Sequence, residues 1–298
     1  MAVDVDVLCV GHACYDLVFA VERHPGPDEK VVAAQLTGCG GGPAANAAVA
    51  AARLGCRSAF AGYLGHDLYG QTHFQEFLSE GVFTGFVVRG DSPTPLSAIL
   101  VKPDGARTVV NYRGSTAVLP SGRIDFSPGA FKVILFDGHE PYVSLALIDG
   151  GLTAGTRTVL DAGSVHRGTR ELVGRVDYVV ASEKFARDYT GETDHWAALA
   201  GLGQIAPAVI ITRGEKGLIW QRVQQGSGRL DAFDVDAVDT TGAGDAFHGA
   251  FCAGLARGKS FPELLRYAGA AGALCCTKYG ARPALPGAQE VADFLSRQ

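Results

Sequence analysis

The segment VDTTGAGDAFHGAF, Val238 to Phe251, concentrates residue types suited to holding an anion and moving a proton beside it. Gly242, Ala243 and Gly244 let the backbone turn sharply and present successive N–H groups, and the apolar period starting at Ala246 predicts that a helix begins there. Bare N–H groups at a helix N-terminus, with a macrodipole of about half a charge, form a site that would stabilise a transferring phosphoryl group. Asp245 lies inside this cluster, where a carboxylate merely sitting beside an anion would weaken the site. Two roles remain open from spacing alone: capping the helix, or taking the proton of an attacking hydroxyl. No other stretch of the chain supplies a rival nucleophile arrangement.

A second glycine concentration, GCGGGPAAN from Gly38 to Asn46, precedes an Ala-rich run. Glycines there allow a ligand to approach the backbone, with the Asn46 amide one turn inside the helix; a tight start to a packing helix is the other reading. A third segment, ITRGEKGLIW at 211 to 220, ends a strand in a Gly-framed turn that suits a nucleotide or an ordinary hairpin. The chain contains no G-x-x-x-x-G-K-[ST], which excludes a P-loop NTPase. It has no G-x-G-x-x-G after its first strand either, because Gly38, Cys39 and Gly40 continue into Gly41, Gly42 and Pro43. A bound nucleotide is therefore expected late in the chain.

These clusters need a frame. The run 5 to 11 predicts a buried strand, the Ala-rich stretch from Pro43 predicts a helix stopped by Gly55, SAFAGYLG predicts another strand, and a helix follows from about Tyr69 to Glu80, closed by Gly81. Further strands are expected at 132 to 137, 157 to 161, 177 to 180 and 208 to 212, mostly separated by helical patterns. Strands alternating with helices call for an open α/β fold around a parallel sheet. Residues 12 to 38 and 93 to 113 break the alternation: both read as strands without a helix directly after them, the second as a hairpin turning at Pro103, Asp104 and Gly105. They predict a small β lid attached to one main domain that spans residues 1 to 298.

Composition narrows the function classes. The 298 residues include 40 Gly, 47% hydrophobic and 19% charged residues, a balance that excludes disorder and collagen. A net charge of -5 without a basic run argues against nucleic acid as a partner. The first ten residues carry two acids and no basic region, and the apolar stretches are short, so neither a signal peptide nor a membrane span is expected. Seven scattered cysteines without C-x-x-C spacing point to reduced thiols in a cytoplasm, and eight histidines without H-E-x-x-H or H-x-x-H spacing give no support for zinc.

Taken in order, the pieces resemble the PfkB, or ribokinase-like, family of carbohydrate kinases. GGGPAANAAVAAARLG at 40 to 55 is similar to its N-terminal signature and DTTGAGDAFHGA at 239 to 250 to its C-terminal one. The resemblance implies a mostly parallel central sheet flanked by helices, a small β-sheet lid, and transfer of the ATP γ-phosphate to a hydroxyl of a small sugar. By the same resemblance Asp245 is the base and Gly242, Ala243 and Gly244 form the anion hole, in line with the dominance of positioning and electrostatics in phosphoryl transfer. It further implies that Asp16 accepts sugar hydroxyls, with Gly41, Gly42 and Asn46 in the sugar site. Thr212, Gly214 and Gly217 match the nucleotide-side turn, and Gly280 with Ala281 the late loop along the adenine. Asp239 and Thr241 match the start of a monovalent cation site, K+ being the usual ion, while magnesium is expected with ATP and a homodimer through the lid.

Departures from the family pattern bear on metal and substrate. Many members carry N-x-x-E where this chain has Ser182 and Phe185, with Glu183 nearby, which removes the usual organiser of water around magnesium. Cys14 stands where ribokinases have an Asn, so ribose loses one expected partner. Lys30 and Asn111 resemble the branch acting on 6-deoxy-6-sulfofructose, but His139 replaces the Arg which that branch aims at the sulfonate. A histidine is a weaker anion partner than a guanidinium fork, so an uncharged or differently charged ketose or furanose is favoured, with Lys30, Asn111 and His139 as specificity residues. The alternatives are the sulfofructose kinase itself, a nucleoside kinase of the adenosine type, and a non-catalytic sugar or nucleotide sensor.

Overall fold

Val, Leu and Cys fill the second half of β1 (Val3–Val10), which is buried on both faces, so the strand must lie inside a sheet covered by helices. The computed structural model describes residues 3–127, 129–150 and 152–298. After β1 the chain forms β2 (Cys14–Ala20), β3 (Gln35–Gly41), α1 (Pro43–Arg53), β4 (Ser58–Gly65), α2 (Leu68–Ser79) and β5 (Phe83–Gly90). The hairpin β6 (Leu96–Val101) and β7 (Arg107–Tyr112) follows, then β8 (Gly129–Phe136), α3 (Pro141–Gly150), β9 (Arg157–Ala162), α4 (Arg167–Leu172) and β10 (Tyr178–Ser182). Next come α5 (Glu183–Thr190), α6 (His195–Leu202), β11 (Ala208–Thr212), β12 (Leu218–Arg222) and β13 (Gly226–Leu230). Four helices close the chain: α7 (Ala243–Ala256), α8 (Phe261–Cys275), α9 (Ala281–Ala284) and α10 (Ala288–Leu295).

Nine strands make the main sheet in the order β13-β12-β11-β10-β9-β8-β1-β4-β5, and four make the lid, β3-β2-β6-β7. Pairing is parallel from β5 through β11 and antiparallel at β12 and β13. One face packs on α1, α2, α7, α8 and α10 through residues such as Phe60, Phe77, Phe251 and Leu264. The other packs on α3 to α6 through Phe136, Leu172, Phe185 and Leu199. This is the α/β ribokinase-like architecture expected from the alternation of strands and helices, lid included. No helix among the described residues is long and apolar enough to cross a membrane, and all seven cysteines are unpaired thiols.

Three local differences from the sequence reading have physical reasons. Helix α7 starts at Ala243, ahead of the expected Ala246, because Gly242 takes a left-handed backbone (φ 80°) and serves as its N-cap. Gly and Ala in that first turn carry no apolar stripe that would reveal the period. The first lid segment does lead directly into a helix: β3 runs to Gly41 and α1 starts at Pro43. The segment ITRGEKGLIW forms an antiparallel hairpin of β11 and β12. The sequence reading passed over β13, GSGRL, whose small and polar residues show no alternation.

Candidate active site

Asp245 occupies the first turn of α7, and its side chain makes no cap hydrogen bond. The capping role left open by spacing is thereby removed. Its Oδ2 instead accepts from Asn46 Nδ2 at 2.8 Å. Burial, and next the charge of Asp161, push its carboxyl up to about 7, so the group titrates where a base works best at neutral pH. Gly242, Gly244 and Asp245 line one cavity of about 450 Å3 together with Asp16, Asn46, Asn111 and His139. A Cβ at Gly244 would meet no protein atom within 4 Å. The backbone there faces open cavity.

The Ala-rich composition of α1 has a packing reason that also places Asn46. At Gly249 of α7 a Cβ would lie 2.5 Å from Ala50 Cβ and 2.6 Å from Ala47 O, so only small residues let the two helices meet this closely. That contact carries Asn46 to Asp245. The far side of the amide is fixed by Arg282 of α9, buried, whose Nε donates to Asn46 Oδ1 at 3.1 Å. Arg can only donate, so Oδ1 must face it and Nδ2 must face the carboxylate. Arg282 is itself held by Glu76 Oε2 at 3.3 Å and His73 Nε2 at 3.0 Å.

The lid supplies the opposite wall. Asp16 on β2 is buried, and burial raises its carboxyl above the ordinary range. Its Oδ1 accepts from the Cys14 thiol at 3.2 Å, and that sulfur also lies 3.4 Å from Ser97 Oγ. A Cβ at Gly41 would sit 2.1 Å from Asp16 Oδ2, so glycine at this position makes room for the acid. Gly42 lines the cavity with Pro43, and Asn111 projects from β7 opposite Ser97. Lys30 lies apart, exposed in the loop between β2 and β3 and off the cavity lining.

The C-terminal ends of the parallel strands form the floor, as expected for an open α/β sheet. After β8, Asp137 accepts from the backbone N–H of His12, Ala44 and His139 at 2.7, 3.3 and 2.8 Å. At the end of β9 the buried Asp161 lies 3.4 Å from His248 Nε2, while His248 Nδ1 lies 2.6 Å from Gly244 O. This pair sits directly beneath the turn that carries the base.

Thr212 ends β11, with its Oγ1 donating to Ala181 O at 3.3 Å. Gly214 and Gly217 bound the short turn after it. Neither these three nor Gly280 line the cavity, whereas Ala281 does. β11 lies two strand spacings from β9 along the same edge, with β10 between them, so this turn lies roughly 10 Å farther on. Gly280 N–H donates to Asp239 Oδ2 at 2.8 Å, and Asp239 Oδ1 accepts from Thr241 N–H and Oγ1–H at 2.9 and 2.6 Å. Both Asp239 oxygens thus accept from protein donors that hold the loop. Ser182 caps α5 by accepting from Phe185 N–H, Phe185 is buried in the core, and Glu183 pairs with Arg213 at 3.1 Å. These residues do not fit a protein-held magnesium, and no cluster of three His, Cys, Asp or Glu suited to a metal occurs among the described residues.

Several residues of the site escaped the sequence reading: Arg282, Asp137, Asp161, His248, His12, and the lid arginines Arg107 and Arg113. Arg107 Nη1 donates to Thr241 Oγ1 at 2.9 Å, and Arg113 Nη2 donates to His139 Nδ1 at 2.9 Å. The available signal was the run LFDGH, a strand ending in an acid and a histidine at the edge where open α/β sheets bind ligands.

Comparison with known proteins agrees with this geometry. The chain is 30% identical over 292 residues to ribokinase of Haemophilus influenzae, covering 94% of this chain and 95% of that one. It is also 30% identical over 289 residues to probable fructokinase-4 of Arabidopsis thaliana, covering 86% and 87%. The structure of Arabidopsis thaliana ribokinase complexed with ribose and ATP superposes with a TM-score of 0.85 at 26% identity, covering 99% of both chains. Residues 4–288 match the profile of the pfkB family carbohydrate kinases. With sheet, lid and both signatures in place, the chain belongs to that family and is a carbohydrate kinase.

Proposed function

We propose that the enzyme transfers the γ-phosphate of ATP to a hydroxyl of a small sugar, a ketose or furanose, with Asp245 as general base. The observation that carries this reading is the base itself: a half-buried carboxylate pushed up to about 7, oriented by Asn46, beside the first N–H groups of α7. Gly242, Ala243 and Gly244 serve as the anion hole for the transferring phosphoryl group. Asp16, Asn46, Asn111 and the Gly41–Gly42 backbone hold the sugar hydroxyls. The nucleotide extends along the strand ends toward Thr212, Gly214 and Gly217, with Gly280 and Ala281 beside its base. Magnesium arrives with the triphosphate, since Ser182 and Phe185 offer it no support; a monovalent cation such as K+ would sit at the Asp239–Thr241 loop.

The whole chain acts as one kinase unit, with β2, β3, β6 and β7 as its lid. Leu36, Val110 and Tyr112 on the lid are each more than half exposed, an apolar face that suits pairing with a second copy. The unpaired thiols suit a reducing cytoplasm.

Asp245→Asn tests the assignment. In an ADP-release assay over ketoses, aldoses and adenosine with ATP and magnesium, turnover falls by about 10²- to 10⁴-fold, while nucleotide affinity stays within a few fold. Unchanged turnover removes Asp245 as the base. Stability supplies a second readout. Because the folded carboxyl lies above the ordinary value of 3.8, its contribution is full below that pH and is lost as pH rises through about 7. The Asn variant is therefore the more heat-stable protein at pH 8, and the two converge near pH 4.

A further inference from the structure

Lid strand β7 runs the length of the cavity and carries an arginine at each end. Arg107, Val109 and Asn111 alternate onto the cavity side, and Arg113 continues the same face one residue past the strand. Six residues of extended chain separate the two arginine backbones by about 20 Å. Arg107 stands at the Thr240–Thr241 turn that leads into Gly242, the end where a phosphoryl group transfers. Arg113 stands at the other end, over the turn after β8. One γ-phosphate cannot reach both.

The surroundings of Arg113 are unusual for a guanidinium in a cavity. Its one side-chain hydrogen bond among the described residues is to His139. The two nearest acids are already committed. Asp137 is engaged by three backbone N–H groups, and Glu140 is buried, accepts from Leu119 N–H at 2.6 Å, and is pushed up to about 7 chiefly by burial. Because Arg113 can only donate, His139 Nδ1 is the acceptor and its proton resides on Nε2, a free donor. His139 stacks on His166 at 4.5 Å and lies 5.2 Å from His12. Burial pushes His12 down to about 3, so it stays a neutral imidazole. This end therefore holds one permanent positive charge and neutral imidazole donors; its one ionised acid, Asp137, points its oxygens at the backbone N–H groups of His12, Ala44 and His139 and makes no hydrogen bond to Arg113.

We infer that the sugar acceptor carries an oxyanion at the end remote from the reacting hydroxyl, bound by Arg113 with His139 and His12 as neutral donors. This deepens the kinase reading and rests on it. The class is a monosaccharide bearing a carboxylate, sulfonate or phosphate; a planar guanidinium fork suits each of them.

The test compares fructose with its 6-phosphate, a 6-sulfonate analogue and a sugar acid of equal length, by ADP release and by calorimetric titration without ATP. Wild-type enzyme, Arg113→Met, Arg113→Lys and, as a charge control off the cavity, Lys30→Ala are used. At least one anionic sugar is expected to exceed its neutral parent by tenfold or more in kcat/KM, and the responding arm identifies the oxyanion. Arg113→Met lowers that kcat/KM by roughly 10- to 100-fold, mainly through KM, Arg113→Lys recovers part, and Lys30→Ala changes it less than twofold. Equal use of the neutral parent, or indifference to Arg113→Met, overturns the inference and leaves the kinase reading intact. If no sugar yields ADP, the kinase reading fails instead. Arg113-dependent calorimetric binding of an anionic sugar then still supports the oxyanion site, and its absence overturns it.

Discussion

The two ends of the cavity are built by different means. At the Asp245 end the proposed parts are four consecutive residues, three backbone units at the start of one helix and a half-buried carboxylate. At the Arg113 end the parts are side chains from β7, the β8 turn and the end of β1, the cation is exposed, and the imidazoles stack only on one another. The difference separates a chemical task from a recognition task. A phosphoryl group presents the same charge whatever the acceptor, so fixed backbone dipoles can serve every substrate. The acceptor's far end varies, and side chains there can change without disturbing the helix start.

The contrast can be tested by placing changes at one end and reading both stability and turnover. Gly244→Ala should have the largest effect. Its new methyl meets no protein atom, so the fold gains helix propensity worth roughly 0.5–1 kcal/mol and Tm rises slightly. The methyl occupies the space of the phosphoryl group and lowers kcat by about 10²- to 10³-fold. A fall in Tm together with normal turnover would place the phosphate elsewhere. Arg282→Met comes next: Asn46 loses the donor that orients it and Glu76 loses its cation, so Tm drops and kcat/KM falls roughly tenfold. If Asn46 keeps its geometry without Arg282, crystallography of the variant will show the amide unmoved and activity intact. Asp161→Asn gives the smallest change. Wild-type kcat/KM climbs with pH and levels above about 7, where Asp245 is ionised; removing the Asp161 charge lets Asp245 ionise earlier and moves that limb to lower pH. A limb that stays in place would mean that burial alone sets it.

What was readable in the sequence follows the same division. Gly242 to Asp245 and the Ala-rich α1 are contiguous, so composition and spacing expose them, and the turn at Pro103 to Gly105 marks the lid hairpin, with Gly105 at φ 77°. The helix start was displaced because glycine and alanine show no apolar period. Arg282 lies 236 residues from Asn46 in the chain, and no local pattern links them. Lys30 drew attention by charge type, yet the structure sets it in an exposed loop, while the cations that line the cavity are Arg107 and Arg113, residues without any motif. Pairings made by topology, not by spacing, are the part that one chain cannot display.

One joint in the fold couples the lid to the base. Strand β3 ends at Gly41 and α1 begins at Pro43, leaving Gly42 alone between them, with φ 100° and with space for a Cβ denied by His12 O at 2.5 Å. A one-residue connection has no slack. Tilting the lid must either twist the backbone at Gly42 or lever α1 against α7, where Gly249 and Ala50 already touch. The first turn of that lever carries Asn46. On the reading proposed above, closing the lid over a sugar and aligning the carboxylate that takes its proton are therefore mechanically one movement, with Gly42 as the pivot.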